Sequence, residues 1–126
     1  MLGQAALARP ERDGALAYAF ATAEHLHFLD ERGQYLSGFP LALPAPASSP
    51  LLLAELEGPQ ILALAVAGED GRLYAYDKQG LPLPGWAPNA LPDTVVRLPL
   101  AHAQYDGKDY FLALTEKGTL FALQRN

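Results

Sequence analysis

The amino-acid sequence predicts an all-β chain, an array of about three four-stranded antiparallel units. Three observations predict it. Short apolar runs recur, and Gly or Pro breaks the chain every ten residues or so, which leaves no room for a long amphipathic helix. Residues 47 apart match in kind: Leu26 and Leu73, Asp30 and Asp77, Gly33 and Gly80, Leu36 and Leu83, Gly38 and Gly85, with Phe39 against Trp86. A second step of 47 sets Gly71 on Gly118, Leu73 on Leu120, Tyr74 on Phe121 and Tyr76 on Leu123. A period in the forties marks repeated supersecondary units, none of which buries its flat faces alone. The units predicted are 1–47, 48–94 and 95–126, together one domain, the last without a fourth strand.

Each unit reads as short strands. In the first, "LAYAFA" (16–21) precedes "LHFLD" (26–30). In the second, "LLLAEL" (51–56), "QILALAVA" (60–67) and "RLYAYD" (72–77) are three strands, and "LPLPGW" (81–86) is a weak fourth. The run 60–67 is apolar on both faces, with Leu62, Leu64 and Val66 on one and Ile61 and the alanines on the other. That pattern suits a strand buried between two layers. In the third unit, "PLAHAQ" is the innermost strand, "YFLAL" (110–114) its neighbour and 120–123 the next. The apolar runs match after a one-residue slip, placed in a hairpin loop where length changes cost little.

The turns carry their own signals. "DERG" (30–33) and "DKQG" (77–80) place Asp first and Gly fourth. The carboxylate can accept from backbone two residues on, and the Gly can take positive φ. "TEKG" (115–118) does the same with Thr, and "YDGK" (105–108) reads as a two-residue hairpin. Pro82 and Pro84 cannot donate to a ladder, so their segment belongs at a sheet edge. Four antiparallel strands per unit with a Pro-blunted edge describe the blade of a β-propeller. A sandwich has no reason for the period, and Pro and Gly at about one residue in six exclude a helical solenoid.

With "RLYAYDKQGLPLPGW" and "YDGKDYFLALTEKGTLFAL" on the page, the chain from about residue 15 to 126 resembles the quinoprotein-like (PQQ-like, WD40-like) repeats of bacterial propellers. It is most similar to the C-terminal propeller segments of uncharacterised Bacteroidetes proteins. The resemblance implies a blade array and a periplasmic, cell-surface or secreted location, and it carries no site residues. Quinoprotein enzymes hold a quinone and calcium over the propeller axis with a Trp floor and charged ligands. This chain has one Trp and no such cluster, and no loop has the repeated Asp of a calcium site.

Composition narrows the partners. The 126 residues carry net charge −5, with nine basic side chains scattered among fourteen acids, so a nucleic-acid surface is not expected. No Cys means no disulfide, thiolate metal site or thiol nucleophile. No apolar run reaches membrane-spanning length, and "MLGQAALARPERDG" does not read as a signal peptide.

Five residues are candidates for ligand or partner contact. His25 and His27, two apart on a strand, share a face and could begin a metal site, but no third ligand is suitably spaced. His102 lies on the innermost strand of the last unit, where a propeller lines its channel. Phe39 and Trp86 are aromatics of the outer segments, suited to recognition or to capping the gap between units. Asp30 and Asp77 are explained by their turns, and Ser48 and Ser49 lie in a linker without a nucleophile elbow. No cofactor and no catalytic residue is expected.

Closed propellers use four or more blades. The expected role is therefore a non-catalytic interaction or scaffold module, completed by the remaining blades of a parent chain or by a second copy of itself, with a protein or glycan ligand. The alternative is a fragment of a quinoprotein-like enzyme whose active-site residues lie elsewhere.

Overall fold

The computed structural model describes residues 2–8, 15–56, 62–86, 89–91 and 94–125. The protein is all-β, with three antiparallel sheets, none of them closed. The first holds β1 (Leu2–Ala8), β2 (Ala17–Ala21), β3 (His25–Asp30) and β4 (Leu41–Ala42) in that order. The second holds β5 (Leu52–Glu55), β6 (Leu62–Ala67), β7 (Arg72–Tyr76) and β8 (Asn89–Ala90). The third holds β9 (Ala101–Tyr105), β10 (Lys108–Leu114) and β11 (Leu120–Gln124), and β11 is its edge.

Alternation decides what each strand buries. On β2, Ala17, Ala19 and Ala21 turn to the second sheet and pack with Leu62, Leu64 and Val66 of β6. The other face of β6, Ala63, Ala65 and Ala67, packs toward Phe111 and Ala113 of β10. All six residues of β6 are therefore buried, as the two-faced apolar pattern predicts. At both internal interfaces an alanine stripe lines one side; it meets Leu62, Leu64 and Val66 at the first, and Phe111 with Ala113 at the second. The alanines let the sheets approach, and the Leu, Val and Phe side chains fill the space between them.

The turns after β3 and β7 are built alike. Asp30 Oδ1 accepts from the amides of Arg32 and Gln34 at 2.9 and 3.0 Å. Asp77 Oδ1 accepts from Gln79 and Leu81 at the same two distances. Leu36 N then donates to Phe28 O, and Leu83 N to Ala75 O. The TEKG turn has the same backbone closure, Gly118 N to Thr115 O, but it joins β10 to β11 and so corresponds to the turn at 68–71 between β6 and β7. Asp106 and Gly107 take positive φ in the two-residue hairpin between β9 and β10.

One expected strand differs. The segment 81–86 is not a regular fourth strand. It touches β7 through the Tyr76–Pro82 bridge, then folds into a turn closed by Trp86 N to Leu83 O. The fourth strand is β8, three residues further on, as β4 follows 36–39 in the first sheet. The prolines leave Leu83 with the amide that can reach Ala75 O, so no longer ladder forms there. Gly38 explains why this turn needs glycine. Its φ is +94°, and a Cβ there would collide with the carbonyl of Gln79 in the 77–80 turn of the neighbouring unit.

Candidate functional site

The most concentrated buried polar chemistry lies in the third sheet. The tight 105–108 hairpin sets Gln104 opposite Asp109 and His102 opposite Phe111. All four face the second sheet. Asp109 is 2% exposed. Its Oδ1 accepts from His102 Nε2 at 2.8 Å and from Gln104 Nε2 at 3.2 Å, and its Oδ2 from Arg125 Nη1 at 3.3 Å. Arg125 follows β11; its amide donates to Asp109 O, and its Nε donates to Pro84 O of the second sheet at 2.9 Å. One buried carboxylate thus ties β9, β10 and the end of β11 together, and Arg125 extends the tie to the neighbouring sheet.

A carboxylate only accepts, so Nε2 of His102 carries the proton. An oriented Asp–His pair is half of a nucleophilic triad. The other half is not assembled, because no hydroxyl is bonded to His102 among the described residues. Ser48 Oγ donates to Val96 O at 2.7 Å, and Ser49 Oγ accepts from Ala67 N at 2.9 Å. Both serines are buried: Ser48 ties the segment before β5 to the segment before β9, and Ser49 holds the end of β6. His102 likewise departs from the expected water-filled channel: its side chain is 14% exposed and spent on Asp109.

Beside Arg125 is a cleft of about 240 Å³, lined by Leu62, Asp77, Lys78, Gln79, Leu83, Pro84 and Arg125. Its floor is apolar and its rim carries two cations and an acid. A second cleft, about 220 Å³, is lined by Pro44, Tyr74, Ala75, Tyr76, Pro82 and Trp86. Tyr74 donates to Asp70, and burial together with that bond pushes its phenol up to about 12.

His25 and His27 do share the outer face of the first sheet, their rings 6.1 Å apart. His27 stacks on Phe20 at 4.7 Å, and its ring nitrogens meet Thr22 Oγ1 at 2.9 Å and Tyr35 Oη at 2.8 Å. No group of three or more metal-ligating side chains occurs among the described residues. Burial, and repulsion from His25, hold the His27 imidazole below the ordinary histidine value of 6.5. The unfolded chain then binds more protons than the folded one as pH falls below 6.5, so stability declines on acidification and levels off beneath the folded value. The melting temperature should drop between pH 7 and 5 in the native chain and drop less in His27→Gln, as calorimetry across that range would register. An equal drop in both would remove His27 from the account.

Phe39 and Trp86 are buried, not displayed. Phe39 meets Phe28 edge to face at 5.5 Å. Trp86 meets Phe111 of the next sheet at 5.1 Å and donates its indole N–H to Leu73 O at 3.1 Å. Sequence reading missed Asp109, Gln104 and Arg125, because nothing in their spacing marks them as partners before the hairpin register is known. Comparison of the chain with family models, with curated proteins and with solved structures finds no match.

Proposed function

We propose that this chain is a non-catalytic interaction and scaffold module, three blades of a β-propeller that further sheets complete. The observation that carries the reading is the state of the two end faces. The outer face of the third sheet presents Leu112, Leu114, Leu120 and Ala122, with Leu114 41% and Leu120 62% exposed. The outer face of the first presents Tyr18, Phe20, His27 and Leu29. In sheet order these match the faces that, inside the chain, are buried against a neighbour. Apolar faces of this kind mark interaction surfaces.

Their composition favours one class of partner. Inside the chain, one side of each interface is alanine: Ala17, Ala19 and Ala21 at the first, and Ala63, Ala65 and Ala67 at the second. A second copy stacked head to tail would set Leu112 and Leu114 against Tyr18 and Phe20, large on large. Additional sheets of different composition, in the same polypeptide or another, fit both ends better, and a protein or glycan ligand would then be taken by the loops at one mouth of the ring. A second copy still removes apolar surface from water when nothing better is present, so size-exclusion chromatography with light scattering on this chain alone should find weak, concentration-dependent self-association through the open faces. A clean monomer at high concentration would overturn the reading.

A further inference from the structure

Strand β11 is bare on the side where its two counterparts are covered. In the second sheet, the segment 81–86 lies along β7. Leu83 N donates to Ala75 O, Leu81 O accepts from Asp77 N, and the Trp86 indole donates to Leu73 O. In the first sheet, Leu36 N donates to Phe28 O, and Gln34 O accepts from Asp30 N. Both segments read Leu-x-Gly-aromatic: Leu36-Ser37-Gly38-Phe39 and Leu83-Pro84-Gly85-Trp86. The pairing registers make the third-sheet equivalents explicit. Ala67 lies opposite Leu73 and Ala65 opposite Ala75, just as Leu114 lies opposite Leu120 and Leu112 opposite Ala122. The backbone groups answering to Leu73 O, Ala75 O and Asp77 N are therefore those of Leu120, Ala122 and Gln124.

A shelf beside this edge is bare as well. Leu73 is 2% exposed, within the cluster that also holds Leu83 and Trp86, whereas its counterpart Leu120 is 62% exposed. In the second sheet the 81–86 segment covers the edge and shares the cover of the shelf with Val96, Leu100 and Phe111, and among the described residues no segment covers either in the third sheet. The edge also lacks the usual protections, since β11 contains neither Pro nor a charged residue.

We infer that β11 is a strand-addition site for an extended peptide of the form Leu-x-Gly-aromatic. Its Leu amide would donate to Ala122 O, and its aromatic side chain would lie over Leu120 and Leu114. Affinity would come from main-chain bonds and specificity from the aromatic pocket, as in other strand-addition complexes. The inference goes beyond the scaffold reading by assigning an occupant to one edge, and it rests on that reading in one respect, because Leu114 and Leu120 belong both to the shelf and to the open end face.

The test is fluorescence anisotropy with a labelled synthetic peptide QGLPLPGW, the sequence of residues 79–86. Saturable binding to the native chain is expected, with the Trp→Ala peptide at least tenfold weaker. On the protein, Ala122→Pro keeps the accepting carbonyl but sets the proline ring where the outward amide hydrogen was, obstructing an added strand without taking a bond from β10, and Leu120→Glu charges the shelf while leaving the backbone intact. Each should weaken the native peptide at least tenfold, with circular dichroism unchanged. If Ala122→Pro fails to fold, Leu120→Glu decides. No saturable binding, equal affinity for the Trp→Ala peptide, or full affinity in Leu120→Glu would overturn the proposal. Phe20→Glu separates the two readings, because it charges the opposite end face and leaves β11 untouched: self-association should fall while the peptide still binds.

Discussion

Replacing Asp109 with Ala is expected to destabilise the protein by about 3–5 kcal/mol, the range for removing one partner of a buried ion pair. Burial sets the cost. The carboxylate is 2% exposed and is satisfied by His102, Gln104 and Arg125. Without it, the Arg125 side chain, 17% exposed, keeps its bond to Pro84 O but loses its counter-ion. Domains of this size are stable by about 5–15 kcal/mol, so the loss is a large share of the total. Urea denaturation would measure it. Asp109→Asn retains an acceptor and should cost less than Asp109→Ala. A cost below about 1 kcal/mol for Asp109→Ala, typical of an exposed pair, would show that the cluster is solvated.

Phe111→Ala should cost a similar amount, about 3–5 kcal/mol, through a different cause. Phe111 is 1% exposed and stands edge-on to Trp86 across the gap between the second and third sheets. Truncation leaves a void bounded by a rigid indole on one side and β10 on the other, and packed sheets cannot close over it. Leu120→Ala is the control: the side chain is large but mostly exposed, and its loss should stay within about 0.5 kcal/mol. Comparable losses for the two variants would contradict the placement of Phe111 at an internal interface.

Much of this architecture was legible in the residues, for identifiable reasons. The two-sided apolar pattern of 62–67 has one economical home, between two sheets, and β6 occupies it. Asp-x-x-Gly announces its turn because the carboxylate and the positive φ are local needs, and both turns form as read. What stayed hidden depends on contacts remote in sequence. Asp109 looks like an ordinary hairpin acid until the chain end brings Arg125 beside it. Ser48 and Ser49 look like linker residues until Val96 and Ala67 close over them. Trp86 invites a surface reading, yet its indole N–H is held by Leu73 O, a bond set by how the 83–86 turn folds back rather than by local spacing. The fourth strand shifted to 89–90 for a related reason: the proline-bearing segment is taken up by a turn and a single bridge.

The most direct measurement is native-state amide hydrogen exchange, resolved by residue. Stacked sheets predict that β6 amides exchange slowest, since that strand is paired on both sides and covered on both faces. They also predict an alternation along β11, with Phe121 and Leu123 protected by β10 while Leu120, Ala122 and Gln124 exchange quickly at the open edge. Exchange in β6 as fast as in β11, or uniform protection along β11, would contradict the stacked arrangement and its bare edge.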